Sequence, residues 1–138
     1  MFAKKTNIAA QQPFGEPVNT GQIDAFDDLV TADSVDHEPA PGQSPGPRGC
    51  RDLLTELRTA FPDIHVEVEH LTTTEDDVAI ADTMTGTNDG PFRGNAPTGE
   101  AIKARGMQIG RFADRKLVER WGSSDQLGIM TQLGLMEA

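Results

Sequence analysis

Residues 50–69 read CRDLLTELRTAFPDIHVEVE, and the hydrophobic period changes inside that stretch. Leu53, Leu54, Leu57 and Phe61 recur at helical spacing, with Arg51, Asp52, Glu56 and Arg58 largely off their face. Cys50 to Phe61 therefore predicts an amphipathic helix. Pro62 stops it and Asp63 turns the chain. From Ile64 the period is two: Ile64, Val66 and Val68 alternate with His65, Glu67 and Glu69. That is the pattern of a half-buried strand, with its three apolar side chains expected to face the helix.

Working outward, Glu75-Asp76-Asp77 turns the chain into a strand over Val78 to Thr87. Asp89-Gly90 and Gly94 to Gly99 are turns. Ala101 to Phe112 is a third strand, and Asp114-Arg115 returns it into Leu117 to Trp121. Asp125 to Leu133 reads as a last short helix. Upstream, Pro39 to Gly49 holds four prolines and reads as a loop long enough to act as a lid. Gln22 to Val30 reads as a short helix with Ile23, Phe26, Leu29 and Val30 on one stripe. Residues 1–18 should hold a first helix, interrupted by Pro13, Gly15 and Pro17, and are set apart as an N-terminal segment before a domain spanning 19–138. Helices first and an antiparallel meander afterwards define an α+β fold, with the helices packed on one face of the sheet.

A chain of 138 residues fits one domain. Its formal net charge of −10 argues against nucleic acid and anionic membrane surfaces as partners. No Lys or Arg stands between Lys5 and Arg48, where Glu16, Asp24, Asp27, Asp28, Asp33, Asp36 and Glu38 form a solvated acidic face; no D-x-D-x-D-G loop for calcium occurs. The N-terminal residues lack the apolar core of a signal peptide. Cys50 is the only cysteine, which excludes an intrachain disulfide and suits a reducing cytoplasm. There is no G-x-G-x-x-G, Walker loop, H-E-x-x-H or C-x-x-C, so neither a metal nor an organic cofactor is expected.

The residues left to carry chemistry are few. His65 falls on a polar strand face and His70 near a strand end. His37 precedes the proline-rich loop, where a histidine is well placed for a site. Arg111 is in phase with Met107 and Ile109, so it points into a pocket or pairs with a carboxylate in an interface. Trp121 either lines that pocket or belongs to the core. Asp125 stands where it can cap the last helix or, in an apolar pocket, act as an acid and base of raised pKa.

Val35-Asp36-His37, Phe61-Pro62-Asp63, Thr85-Gly86-Thr87 with Gly90 and Phe92, Pro97-Thr98-Gly99, Arg111-Phe112-x-Asp114, Glu119-x-Trp121 with Asp125, and Gln132-Leu133-Gly134 follow one another in this order. Together, over about residues 19–134, they resemble the SnoaL-like polyketide and ester cyclases, within the nuclear transport factor two-like cone folds. The resemblance implies a curved antiparallel sheet wrapped around N-terminal helices, with a central pocket. It implies intramolecular aldol condensation of a hydrophobic aromatic polyketide without metal or cofactor, and a homodimer or homotetramer. An aspartate matching Asp125 serves there as general acid and base. By their own positions and phase, His37, Arg111, Trp121, Met107 and Ile109 are expected to line the substrate pocket. Asn88 departs from the pattern, because many members carry a histidine there. Two other readings stand beside this one. The same fold serves non-catalytic small-molecule-binding modules. A limonene-type epoxide hydrolase or isomerase would need an Asp-Arg-Asp arrangement, which Asp82, Arg111 and Asp125 could supply.

Overall fold

Proline and glycine divide the N-terminal part of the chain into short helices. In a computed structural model, which describes residues 2–40 and 42–136, α1 (Phe2–Gln11) passes through a 3-10 turn at Gln12–Phe14 into α2 (Gly15–Thr20). Gly21, left-handed at φ 81°, ends α2. A 3-10 turn at Ile23–Ala25 leads into α3 (Phe26–Leu29). Pro13 and Pro17 thus segment the helical region without abolishing it.

Two expectations are corrected here. Val30 does not end a helix but opens a strand, β1 (Val30–Asp36). Its stretch VTADSVD buries only Val30 and Ser34, too few apolar positions to show a period. Its pairing partner is distant in sequence, so only tertiary contact reveals it. The proline-rich loop also ends earlier than expected, because α4 spans Gly46–Ala60. Pro47 sits in the first turn, where the missing N–H breaks no helical hydrogen bond.

The meander follows as β2 (His65–Thr73), β3 (Asp77–Thr87), β4 (Ala101–Ala113), β5 (Lys116–Ser124) and α5 (Gln126–Gln132). The curved five-stranded sheet has the order β1-β5-β4-β3-β2 and is antiparallel except where β1 joins β5 in parallel. Asp114 and Arg115, both at positive φ, make the two-residue turn between β4 and β5. The helices cover one face, burying two apolar clusters. One joins Phe61, Ile64, Ile102, Ala104, Ile129 and Leu133; the other joins Phe26, Val30, Leu54, Val78, Phe112 and Leu117. Val18 and Leu57 touch both clusters.

Ile64 is buried, as its place in the alternation requires, but Val68 is 49% exposed. The register slips between Val68 and His70, and β2 is an edge strand. The helix that meets it is α2: the Asn19 carboxamide donates to the Val66 carbonyl at 3.1 Å and accepts from its N–H at 2.8 Å. The facing of all three side chains onto α4 therefore fails at Val68. Asn88, fully buried, donates to the carbonyls of Ala60 and Gly90 and accepts from the N–H and hydroxyl of Thr98. It tethers the β3–β4 connection to the end of α4.

Candidate active site

Along β3, alternation turns Val78, Ile80, Asp82 and Met84 toward the helices, and along β4 it does the same for Ile102, Ala104, Gly106, Gln108, Gly110 and Phe112. The apolar members belong to one cluster or the other. Between the clusters runs a diagonal polar row of Asp82, Gln108, Arg120 and Asp36, one residue each from β3, β4, β5 and β1.

Arg120 reaches this face because of a bulge. Arg111 pairs with Glu119 and Phe112 with Leu117, so Val118 is an extra residue. Leu117 and Arg120 consequently share the inner face, although simple alternation would separate them. The Arg120 guanidinium donates from Nη1 to both Asp36 oxygens, at 2.9 and 3.1 Å, and from Nη2 to the Gln108 amide oxygen. Gln43, from the loop before α4, donates to Asp36 at 3.3 Å. Since arginine only donates, it fixes which end of the Gln108 amide is oxygen. The amide nitrogen is left on the side of Asp82.

Two glycines make room for these side chains to lie flat. A Cβ on Gly106 would fall 2.8 Å from Asp82 Oδ1, 3.1 Å from Gln108 Nε2 and 3.2 Å from Ser124 Oγ. One on Gly122 would collide with the Arg120 guanidinium and the Gln108 amide oxygen. Burial pushes the Asp82 carboxyl above its ordinary range; hydrogen bonding from Gln108 and the charge of Arg120 oppose this, while Glu69 adds to it.

The two ends of the row differ. At the Asp36 end, α4 and the preceding loop leave a cavity of about 20 Å³, enough for one water, lined by Ser34, Asp36, Gln43, Cys50, Leu117 and Arg120 among others. Burial, and then the Asp36 charge, push the Cys50 thiol upward, which disfavours a nucleophilic thiolate. The Asp82 end is open: Val68 opposite it on β2, Ser124 on β5 and Leu127 on α5 are exposed.

The residues singled out from sequence fall in two places. Asp125 is the N-cap of α5, exposed, accepting the Gly128 N–H at 2.8 Å. It follows Ser124, which pairs with Gly106, which pairs with Asp82. The others lie together on the opposite, helix-free face. His37 stacks on Trp121 with ring centroids 4.8 Å apart and donates to Glu119 at 2.6 Å. Arg111 lies 5.5 Å over the Trp121 ring and bonds Asp77 at 3.0 Å. Met107 and Ile109, at 68% and 42% exposure, continue that face. The structure does not bring these five together with Asp125 in one pocket. Nor do Asp82, Arg111 and Asp125 assemble as a trio, since Arg111 and Asp82 point to opposite sides of the sheet.

Asp36, Gln108 and Arg120 escaped the sequence reading as site residues. The signal that could have found them is the glycines in phase with Gln108, at 106 and 110, on a strand that otherwise buries apolar side chains. Among the described residues, no group of three or more His, Cys, Asp or Glu is placed to hold a metal ion, and no helix is long and apolar enough to cross a membrane.

A curved five-stranded sheet half-wrapped by helices, with a charged row across its inner face, is the frame in which these residues sit. Residues 8–133 match the SnoaL-like polyketide cyclase family, and the chain belongs to that family. It is similar to a candidate polyketide cyclase from Bacillus cereus, at 27% identity and a TM-score of 0.83, over 95% of this chain and 82% of that one. It is similar also to IdmH, a candidate polyketide cyclase from Streptomyces antibioticus, at 26% identity and 0.81, over 93% and 98%. TsrD from Streptomyces laurentii shares the fold at 20% identity and 0.87, over 96% and 97%. Comparison with curated proteins returns no match.

Proposed function

We propose that the chain closes a ring of a hydrophobic, aromatic polyketide by intramolecular aldol condensation, without a cofactor, with Asp125 as the proton-transferring carboxylate. The observation that carries this reading is the polar row on an otherwise apolar concave face. Burying Asp36, Arg120, Gln108 and Asp82 among apolar side chains costs stability, so their presence there favours a reacting ligand over packing. The substrate lies over the open end, between Val68, Asp82, Met84, Ser124 and Leu127. A methylene between two carbonyls is acidic enough for a carboxylate to deprotonate. The enolate then attacks a carbonyl folded against it, and positioning supplies much of the rate.

The test is a pair of variants. Asp125→Asn keeps the cap and removes proton transfer, so turnover of a fused aromatic β-keto methyl ester should fall about a hundredfold to ten-thousandfold with the melting temperature unchanged. Asp125→Ala should lose both, the cap contributing about 1 kcal/mol. Unaltered turnover in Asp125→Asn would remove Asp125 from the chemistry and leave it as a helix cap. Binding of the ester without turnover by the wild type would favour the second reading, a small-molecule-binding module, which the exposure of Asp125 and its bond to Gly128 support.

Self-association through the helix-free face belongs to the same proposal. Val35, Met107 and Ile109 are exposed there beside Trp121, and a second copy would cover them.

A further inference from the structure

Besides Asp36, the row contains a carboxylate whose surroundings differ from those of Asp125, which lies outside it. Asp82 is half-buried between Ile80 and Met84, beside Gly106, with Val68 opposite it on β2. Asp125 is exposed and bonded by a backbone N–H at the start of a helix. Asp82, Gly106 and Ser124 are consecutive partners across three strands, so two strand spacings, roughly 10 Å, separate Asp82 from the residue before Asp125. α5 packs on Ile102 and Ala104 of the inner face through Ile129 and Leu133, so the chain bends toward that face at Asp125. Asp82 thus lies at the open end of the row, and Asp125 follows the Ser124 that borders it. Carboxylates held in unlike environments divide acid and base work between them.

We propose that Asp82 is the general acid of the ring closure and Asp125 its base, with Gln108, oriented by Arg120 and Asp36, as the residue that positions Asp82. This rests on the cyclase reading above. Asp125 takes the proton from the carbon between two carbonyls. The released electron pair forms the new C–C bond to the second carbonyl carbon, whose C=O π pair moves onto oxygen. That oxygen takes the Asp82 proton. Asp82 ends as carboxylate and Asp125 as acid, and exchange with water at the open end restores both. The chain Asp36–Arg120–Gln108 keeps an amide N–H toward Asp82, which holds the carboxyl in place in either protonation state. The charged groups that act on Asp82 are Arg120 from β5 and Glu69 from β2; Asp36 from β1 is bound to that Arg120. Cys50 of α4 faces the Asp36 end of the row.

The experiment is the pH–rate profile of closure of a fused aromatic β-keto methyl ester, for the wild type, Asp82→Asn, Gln108→Leu and Asp125→Asn. An acid must be protonated, so wild-type activity should be lost as pH rises through the Asp82 pKa. Asp82→Asn should lose that alkaline limb and about a hundredfold in rate, with circular dichroism unchanged. Gln108→Leu removes a hydrogen bond that favours the charged form, so the limb should move to higher pH, which a purely structural role would not do. Carboxyl carbon NMR of wild-type Asp82 supplies a readout free of any substrate: its midpoint should lie above the ordinary value of about 3.9. Unaltered rate and limb in Asp82→Asn, or a midpoint at or below the ordinary value, would overturn the proposal. The Asp125→Asn arm separates the failures. Loss there alone leaves the cyclase reading standing without Asp82; loss in Asp82→Asn alone overturns the division of roles; loss in neither overturns the roles of both carboxylates, and no closure by the wild type sinks the cyclase reading itself.

Discussion

The two faces of the sheet carry ion pairs of different construction. On the inner face Arg120 and Asp36 meet under α4, 28% and 19% exposed at their side chains, with Gly122 left bare so that the guanidinium can lie along the sheet. On the outer face Arg111 meets Asp77 directly across the β3–β4 pairing, 46% and 29% exposed, with Glu119 a further 3.8 Å away. The inner pair is a chain leading to one carboxyl, whereas the outer one is a cross-strand contact of ordinary sheet chemistry. Charge within reach of water is cheap to rearrange, and charge under a helix is not. Inner-face substitutions should therefore change stability and chemistry together, and outer-face ones should change neither in the isolated chain.

The sharpest contrast comes from removing each arginine. Arg120→Met leaves Asp36 without its partner beneath α4 and should cost about 2–4 kcal/mol in denaturant unfolding, the lower end reflecting partial exposure. Arg111→Ala should cost about 0–1 kcal/mol, as exposed pairs do. Equal losses would erase the distinction between the faces.

A smaller effect sharpens the inner side. Because the folded Asp82 pKa is raised above the unfolded one, the folded state binds more protons between those two values. Stability should fall as pH rises through that window, and should be fully restored below the unfolded pKa. Asp82→Asn has no charge to bury, so its melting temperature should exceed that of the wild type at neutral pH and match it in acid. A constant difference at every pH would tie the effect to packing.

The smallest expected change concerns the outer face. Met107→Lys should leave the melting temperature of the monomer unaltered and abolish a dimer in light scattering. A wild type that is already monomeric at micromolar concentration would remove self-association through this face.

Helix and meander were legible because burial there follows a local period. α4 shows its stripe in Leu54 and Leu57, and β4 alternates buried and exposed residues along most of its length. The α+β class and the family follow from the same stretches. What stayed hidden lacks a local period. β1 has two buried positions in seven residues and finds its partner only through the fold. Arg120 was invisible because the extra residue at Val118 reverses its face, and alternation cannot announce its own interruption. Arg111 was legible as an arginine in phase with apolar residues, but the phase does not say which side of a sheet the helices cover. Asp125 was readable as a cap, which its bond to Gly128 N–H bears out. A cap is written in adjacent residues, and a shared site is not.

The parallel pairing of β1 with β5 joins residues more than eighty positions apart, as in Asp36 with Arg120. Every other strand pair joins neighbours along the chain and closes a short loop. Loop-closure entropy rises with the length closed, and contacts between distant segments slow folding. The meander should therefore assemble first, with β1 docking late onto an already formed β5. Substitutions in β1, such as Val30→Ala, should then speed unfolding while barely touching the refolding rate. The link that orients Gln108 would be a late acquisition of the folding chain, and a nascent protein would hold its sheet before it could hold its chemistry.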